Sequence, residues 1–150
     1  MGFSGIGLAV SAAVLLPNLP LILVPPRSRI PEAPVPAYLA WTERLGQMLC
    51  LSVPAITAAG QIAPLWGVPL TLSVLGYWLL WARYVRQRTP AALFGGVWGV
   101  PVPLAVLPVA AFVCAALLLG NLWIGVSAAV LASGHIPVSL RRARALGASE

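Results

Sequence analysis

Apolar residues run along this chain in stretches of about 20, broken by short clusters of proline, glycine and arginine. The stretches fall at about 4–24, 38–59, 64–84, 101–119 and 122–140. Each is close to the length of a helix that crosses the hydrocarbon core of a bilayer. The pattern predicts an all-α, polytopic transmembrane bundle of about five helices. Five such spans use nearly the whole of 1–150, so a single transmembrane domain is expected, with any function in the bundle or at its mouths.

The interruptions are informative. Pro17, Asn18 and Pro20 should kink the end of the first span. Five prolines between Pro25 and Pro36, with Arg27, Arg29 and Glu32, cannot continue a helix and predict an extended surface loop. The second span carries Glu43, Arg44 and Gln47 in its first turns, and its apolar half alone is too short to cross. The third closes on Arg83, Arg86 and Arg88. From Thr89 to Val100, with Gly95, Gly96 and Gly99 around Trp98, the chain is weakly amphiphilic and reads as an interfacial or re-entrant segment. Gly120 and Asn121 join the last two spans in a tight turn, and Arg141, Arg142 and Arg144 form a short basic tail.

Composition sharpens the picture. Hydrophobic residues make up 60% of the chain and charged residues 8%, against roughly 25% charged in soluble domains. The net charge of +6 comes from nine arginines, with no lysine, set against Glu32, Glu43 and Glu150. These arginines sit at helix ends, where anionic headgroups explain them, so nucleic-acid binding is not expected. Basic residues favour the cytoplasm. The first loop, the third loop and the tail carry the arginines, and the second and fourth loops carry none. That segregation predicts an N-out, C-in chain in a bacterial inner membrane. The first apolar run has no basic n-region and ends in Pro-Pro, so it is kept as a helix and not as a signal peptide. Cys50 and Cys114, deep in apolar runs, read as small buried hydrophobes.

Against this background the polar residues form a set. On the five-span topology Asn18, Glu43, Arg44, Gln47, Arg83 and His135 all fall at similar depth on the cytoplasmic side. An unpaired ionisable residue in a span costs about 2.5 kcal/mol or more, so such residues usually face the bundle interior. Gln47 lies one turn beyond Glu43 on the same face, whereas Arg44 is splayed about 100° around the axis. His135 or Arg83 is therefore the expected partner of Glu43. Tyr77, Trp81 and Tyr84 follow i, i+4, i+7 spacing and share a stripe of the third helix, and Trp41 sits at the inner end of the second. Plainer readings stand beside these. Glu43 and Arg44 at headgroup level would only anchor the helix, His135 would satisfy a carbonyl, and the aromatic residues would form an interfacial belt. Pro108 should free the carbonyl of Leu104, and the small residues Ala110, Ala111, Cys114, Ala115, Ser127, Ala128 and Ala132 should let the last two helices approach closely. One histidine and two separated cysteines make no metal site, and no cofactor motif is present.

The segments E-R-L-G-Q at Glu43 to Gln47, W-A-R-Y at Trp81 to Tyr84, P-V-P-L-A-V-L-P at Pro101 to Pro108 and G-H-I-P-V-S at Gly134 to Ser139 resemble short bacterial polytopic membrane proteins of unassigned activity. In size and character the chain also looks similar to small membrane-embedded terpene cyclases, by analogy and without an aligned motif. The leading expectation is an intramembrane enzyme acting on an isoprenoid or lipid, with proton-initiated cyclisation its most concrete form. A carboxylic acid desolvated among apolar helices suits a general acid, and aromatic faces stabilise a developing carbocation. In that scheme Glu43, His135 and Gln47 are catalytic, and Asn18, Trp41, Arg44, Tyr77, Trp81, Arg83 and Tyr84 bind a membrane lipid or hydrophobic small molecule. The alternatives are a small transporter or channel with a proton or cation site at Glu43, in which case a homo-oligomer is expected, and an accessory membrane subunit.

Overall fold

The computed structural model describes residues 2–30, 32–97 and 99–147, so Trp98 of the amphiphilic segment, Pro31 of the first loop and Glu150 lie outside the described residues. The Ser4 hydroxyl caps the first helix, α1 (Gly5–Leu15), by accepting from the Gly7 amide at 3.1 Å. Pro17 and Pro20 then remove backbone donors, and the chain tightens into a 3₁₀ turn (Leu16–Asn18) before resuming as α2 (Leu19–Leu23). Pro36 opens α3 (Ala37–Ile56). A 3₁₀ turn at Pro64–Trp66 leads into α4 (Gly67–Gln87), which stops where Arg88 turns left-handed at φ 53°. The amphiphilic segment contains a buried short helix, α5 (Pro90–Phe94), and an antiparallel pairing of Val97 with Val100. The chain ends with α6 (Pro103–Leu118) and α7 (Leu122–Gly147). No strand occurs among the described residues.

Two expectations about boundaries change. The arginines expected in a tail are on a helix, because α7 passes through Pro137 and continues beyond Leu140 to Gly147. The third span likewise runs past Tyr84 to Gln87. In both cases the charged turns continue the helix instead of ending it, and α4 stops only where Arg88 turns left-handed.

The long helices form a ring in the order α1, α3, α7, α6, α4. Hydrogen bonds from the Tyr77 hydroxyl to Asn18 Oδ1 (3.0 Å) and from the Trp78 indole to the Ala13 carbonyl (2.8 Å) close it between α4 and α1. The tightest seam joins α3 to α7. A side chain at Gly46 would collide with the backbone of Leu131, and one at Gly134 with the backbone of Glu43 and Thr42. These glycines bring the two antiparallel backbones together.

The ring has two unlike ends. At one, the Arg27 amide bonds the Arg88 carbonyl (2.8 Å), the Arg88 guanidinium bonds the Pro25 carbonyl (3.1 Å), the Arg141 guanidinium bonds the Pro34 carbonyl (3.3 Å) and Arg142 lies over Phe94. At the other, Asn121 bonds Thr57 and Ala58, and the Gly60 amide bonds the Leu119 carbonyl, with no charged residue involved. Three stretches, Gly5–Leu23, Pro64–Gln87 and Leu122–Gly147, are long and apolar enough to cross a membrane, and α6 is a shorter apolar helix. Large apolar side chains such as Ile22, Leu65, Leu72 and Trp123 point outward, as they do when lipid is the solvent.

The α3–α7 seam makes a direct prediction. Gly134→Ala will lower the thermal unfolding midpoint in detergent, by an overpacking cost of about 1–3 kcal/mol. Gly67→Ala, where an added methyl meets nothing within 4 Å, will leave it unchanged. Equal midpoints for the two variants would show that the helices are not in contact there.

Candidate functional site

All five long helices contribute to one cavity of about 230 Å³ at the centre of the ring. Its wall is mostly apolar, with Val14, Leu15, Cys50, Leu51, Pro108, Phe112 and Leu131, and its polar members are Ser11, Asn18, Gln47, Tyr77 and His135. The lining residues that are also exposed, Leu15, Gln47 and Leu51, belong to α1 and α3. The cavity therefore opens sideways between those helices.

The opening follows from how α1 is held. Along its first half α1 is tied to α3, by the Ser4 amide to the Ala55 carbonyl (3.0 Å) and by the Ser11 hydroxyl to the Cys50 carbonyl (2.9 Å). After Ser11 its bonds go to α4 instead, through Asn18 and the Ala13 carbonyl. The two helices part, and the gap is the mouth.

Glu43 and His135 meet at this level. His135 Nδ1 lies 2.6 Å from Glu43 Oε1, with the two side chains 23% and 12% exposed. With the carboxyl ionised, Nδ1 carries the proton and Nε2 is left as an acceptor. His135 is on the cavity wall and Glu43 is not among the lining residues. The carboxylate stands behind the imidazole and orients it, so the group presented to the cavity is His135. The sequence reading had placed Glu43 there as the proton donor. Gln47, one turn along from Glu43, also lines the cavity, and its carboxamide has no hydrogen-bond partner among the described residues.

Asn18 and Tyr77 face this pair across the cavity. The Asn18 amide donates to the carbonyls of Val14 (2.8 Å) and Leu15 (3.3 Å), and its oxygen accepts from Tyr77. The rest of the aromatic stripe is elsewhere. Trp81 packs edge-on between Tyr77 (6.2 Å) and Tyr84 (5.5 Å) in the apolar core, and Tyr84 donates to the Val24 carbonyl at 2.8 Å. The Trp81 indole N–H lies near the Tyr77 hydroxyl yet is buried without a hydrogen bond.

Three further candidates do not reach the cavity. On α3 the buried stripe is Leu39, Gly46, Cys50 and Pro54, which turns Trp41 and Arg44 outward. Trp41 is 67% exposed, and the Arg44 guanidinium sits 5.3 Å from its ring centre. Arg83 has no ion-pair or hydrogen-bond partner among the described residues. It cannot serve Glu43, because α4 packs on α6 and the cavity separates it from α3. Pro108, and not the carbonyl of Leu104, lines the wall. Ser11 is the polar cavity residue that sequence reasoning missed, beside apolar ones such as Phe112 and Leu131. A detectable signal was present, because Ser11 and Asn18 are seven residues apart and share one face of an otherwise apolar stretch. No group of three His, Cys, Asp or Glu side chains that could hold a metal ion occurs among the described residues.

The Glu43–His135 bond is measurable by a double-mutant cycle. Glu43→Ala, His135→Ala and the double variant, compared by unfolding in detergent, will show a coupling of about 1–3 kcal/mol, as for a hydrogen bond to an ionised group. Strict additivity would mean the pair does not form. Compared with known protein families, curated proteins and solved structures, the chain matches none.

Proposed function

We propose that this protein is an intramembrane acid–base enzyme that moves a proton at one end of a long isoprenoid or lipid substrate, with His135 as the catalytic group. The observation that carries the reading is the Glu43-backed imidazole on the wall of a cavity that opens sideways. A carboxylate on Nδ1 fixes the imidazole's orientation and leaves Nε2 turned to the cavity. Nε2 removes a proton from one carbon of the substrate and returns it to another, so no co-reactant is required. The Gln47 carboxamide holds the polar end of the substrate beside it.

Cavity size limits the substrate. Sites that enclose drug-sized ligands run about 300–1,000 Å³, and this one is about 230 Å³. Only the end of a long chain fits, and the remainder trails between Leu15 and Leu51 into the bilayer. A through-going path is not supported, since Ala115, Leu119, Ile124 and Ala128, all fully buried, pack between the cavity and the uncharged end of the ring.

The same reading sets the protein in a bacterial inner membrane, crossing it five times with the arginine-rich end in the cytoplasm. Single cysteines at Ser28, Gln61 and Gly147, in a background lacking Cys50 and Cys114, test the orientation. A membrane-impermeant maleimide added to intact cells will label the Gln61 position only. Labelling of Ser28 or Gly147 from outside would reverse or break the topology.

Activity can be sought without knowing the substrate. The reconstituted protein, incubated with a bacterial lipid extract in D₂O buffer, will place deuterium on carbon in at least one lipid, read by mass spectrometry. His135→Ala will slow that incorporation by about 10²–10⁴-fold, the usual contribution of a positioned acid or base. Ser52→Ala, whose exposed hydroxyl bonds only the Met48 carbonyl, will not. Equal labelling by wild type, His135→Ala and protein-free controls would overturn the proposal.

A further inference from the structure

The hydrogen-bonding state of the cavity points to the kind of substrate end it takes, an inference that rests on the acid–base reading above. We infer that the cavity receives the free hydroxyl of a long-chain alcohol and discriminates against its phosphorylated form.

Two polar groups of the wall, Ser11 and Tyr77, have already used their donors. The Ser11 hydroxyl gives its proton to the Cys50 carbonyl, the Tyr77 hydroxyl gives its proton to Asn18, and the Asn18 amide nitrogen bonds the α1 carbonyls of Val14 and Leu15. What Ser11 and Tyr77 present to the cavity is oxygen lone pairs. These call for a donor from the ligand. On α3 the unpaired Gln47 amide supplies donors to a ligand oxygen. A hydroxyl group satisfies both, because it donates one proton and accepts through its lone pairs. A fully ionised phosphate only accepts, and would set its oxygens against theirs.

Charge leads to the same conclusion. No arginine lines the cavity. The arginines gather at one end of the ring, and Arg141 is six residues past His135, about 9 Å along α7. The Glu43 carboxylate stands 2.6 Å from Nδ1 of His135, which lines the wall. An anion there would lose its water without gaining a cation and would face a like charge in an apolar setting. The apolar lips Leu15 and Leu51 suit the hydrocarbon chain that follows the hydroxyl.

Binding to protein in phosphatidylcholine nanodiscs, with farnesol and farnesyl phosphate as probes and each normalised to its mole fraction in the bilayer, tests this without turnover. Farnesol will bind about tenfold or more tightly than farnesyl phosphate, the difference expected from one well-made hydrogen bond. Ser11→Ala will weaken farnesol several-fold and will not weaken farnesyl phosphate. Glu43→Gln will strengthen farnesyl phosphate and not farnesol, a change of preference that general loosening of the fold would not produce. Should that variant fail to fold, Gln47→Glu at the exposed lip serves instead and will widen the preference for farnesol. Farnesyl phosphate binding as tightly as farnesol, or a preference indifferent to these substitutions, would overturn the inference. Selective farnesol binding without deuterium incorporation would count against the acid–base reading alone.

Discussion

The site depends on how closely α3 and α7 approach. A carboxyl group this far from the arginine-rich end needs a polar partner, and the structure supplies one through the only histidine in the chain. The 2.6 Å contact exists because Gly46 and Gly134 leave room for the opposing backbones. Gly46 receives Leu131, and Gly134 receives Glu43 and Thr42, one turn further along each helix. Two contacts one turn apart hold the antiparallel helices in register as well as in proximity. Any larger residue would separate the axes and lengthen the contact that orients His135.

The cavity arises from a second constraint. In lipid, helices are not driven together by burial of apolar surface, so packing and hydrogen bonds decide which pairs touch. Helix α1 satisfies its polar residues in two directions, Ser4 and Ser11 toward α3 and Asn18 toward α4. The divergence leaves a space bounded by all five long helices, with its mouth at the point of parting. The prolines at Pro17 and Pro20 weaken the ladder of α1 just there. The Tyr77–Trp81–Tyr84 ladder braces the far wall, and the bond from Tyr84 to Val24 ties α4 to the end of α2.

Charge is divided with equal consequence. Arginines bond loop carbonyls at one end of the ring, through Arg88 to Pro25 and Arg141 to Pro34, and Arg142 covers Phe94 on the buried α5. The cavity contains only uncharged polar groups and the Glu43-linked imidazole. The arginines at the end of the ring and the polar groups of the cavity thus occupy different levels of the same bundle, although both are polar residues near helix ends in the sequence.

What the sequence determined by itself is the helical character of the chain and the oddness of a few residues. Backbone groups in lipid must bond within their own segment, so runs of apolar residues near 20 long specify helices without reference to any neighbour. Prolines and glycines set most of the breaks by the same local logic. Glu43, Gln47, His135 and Asn18 were conspicuous because each is costly in an apolar run. The tertiary structure alone decided what they face. Spacing on α3 could show that Glu43 and Arg44 diverge, but not that α7 packs on the glycine side of that helix, nor that α4 stands across a cavity and leaves Arg83 out of reach. It could not turn Trp41 outward or place His135 on the wall in front of Glu43. Those outcomes depend on which helix faces another, and that is fixed by contacts between residues far apart in the chain, 92 positions for Glu43 and His135 and 107 for Pro34 and Arg141.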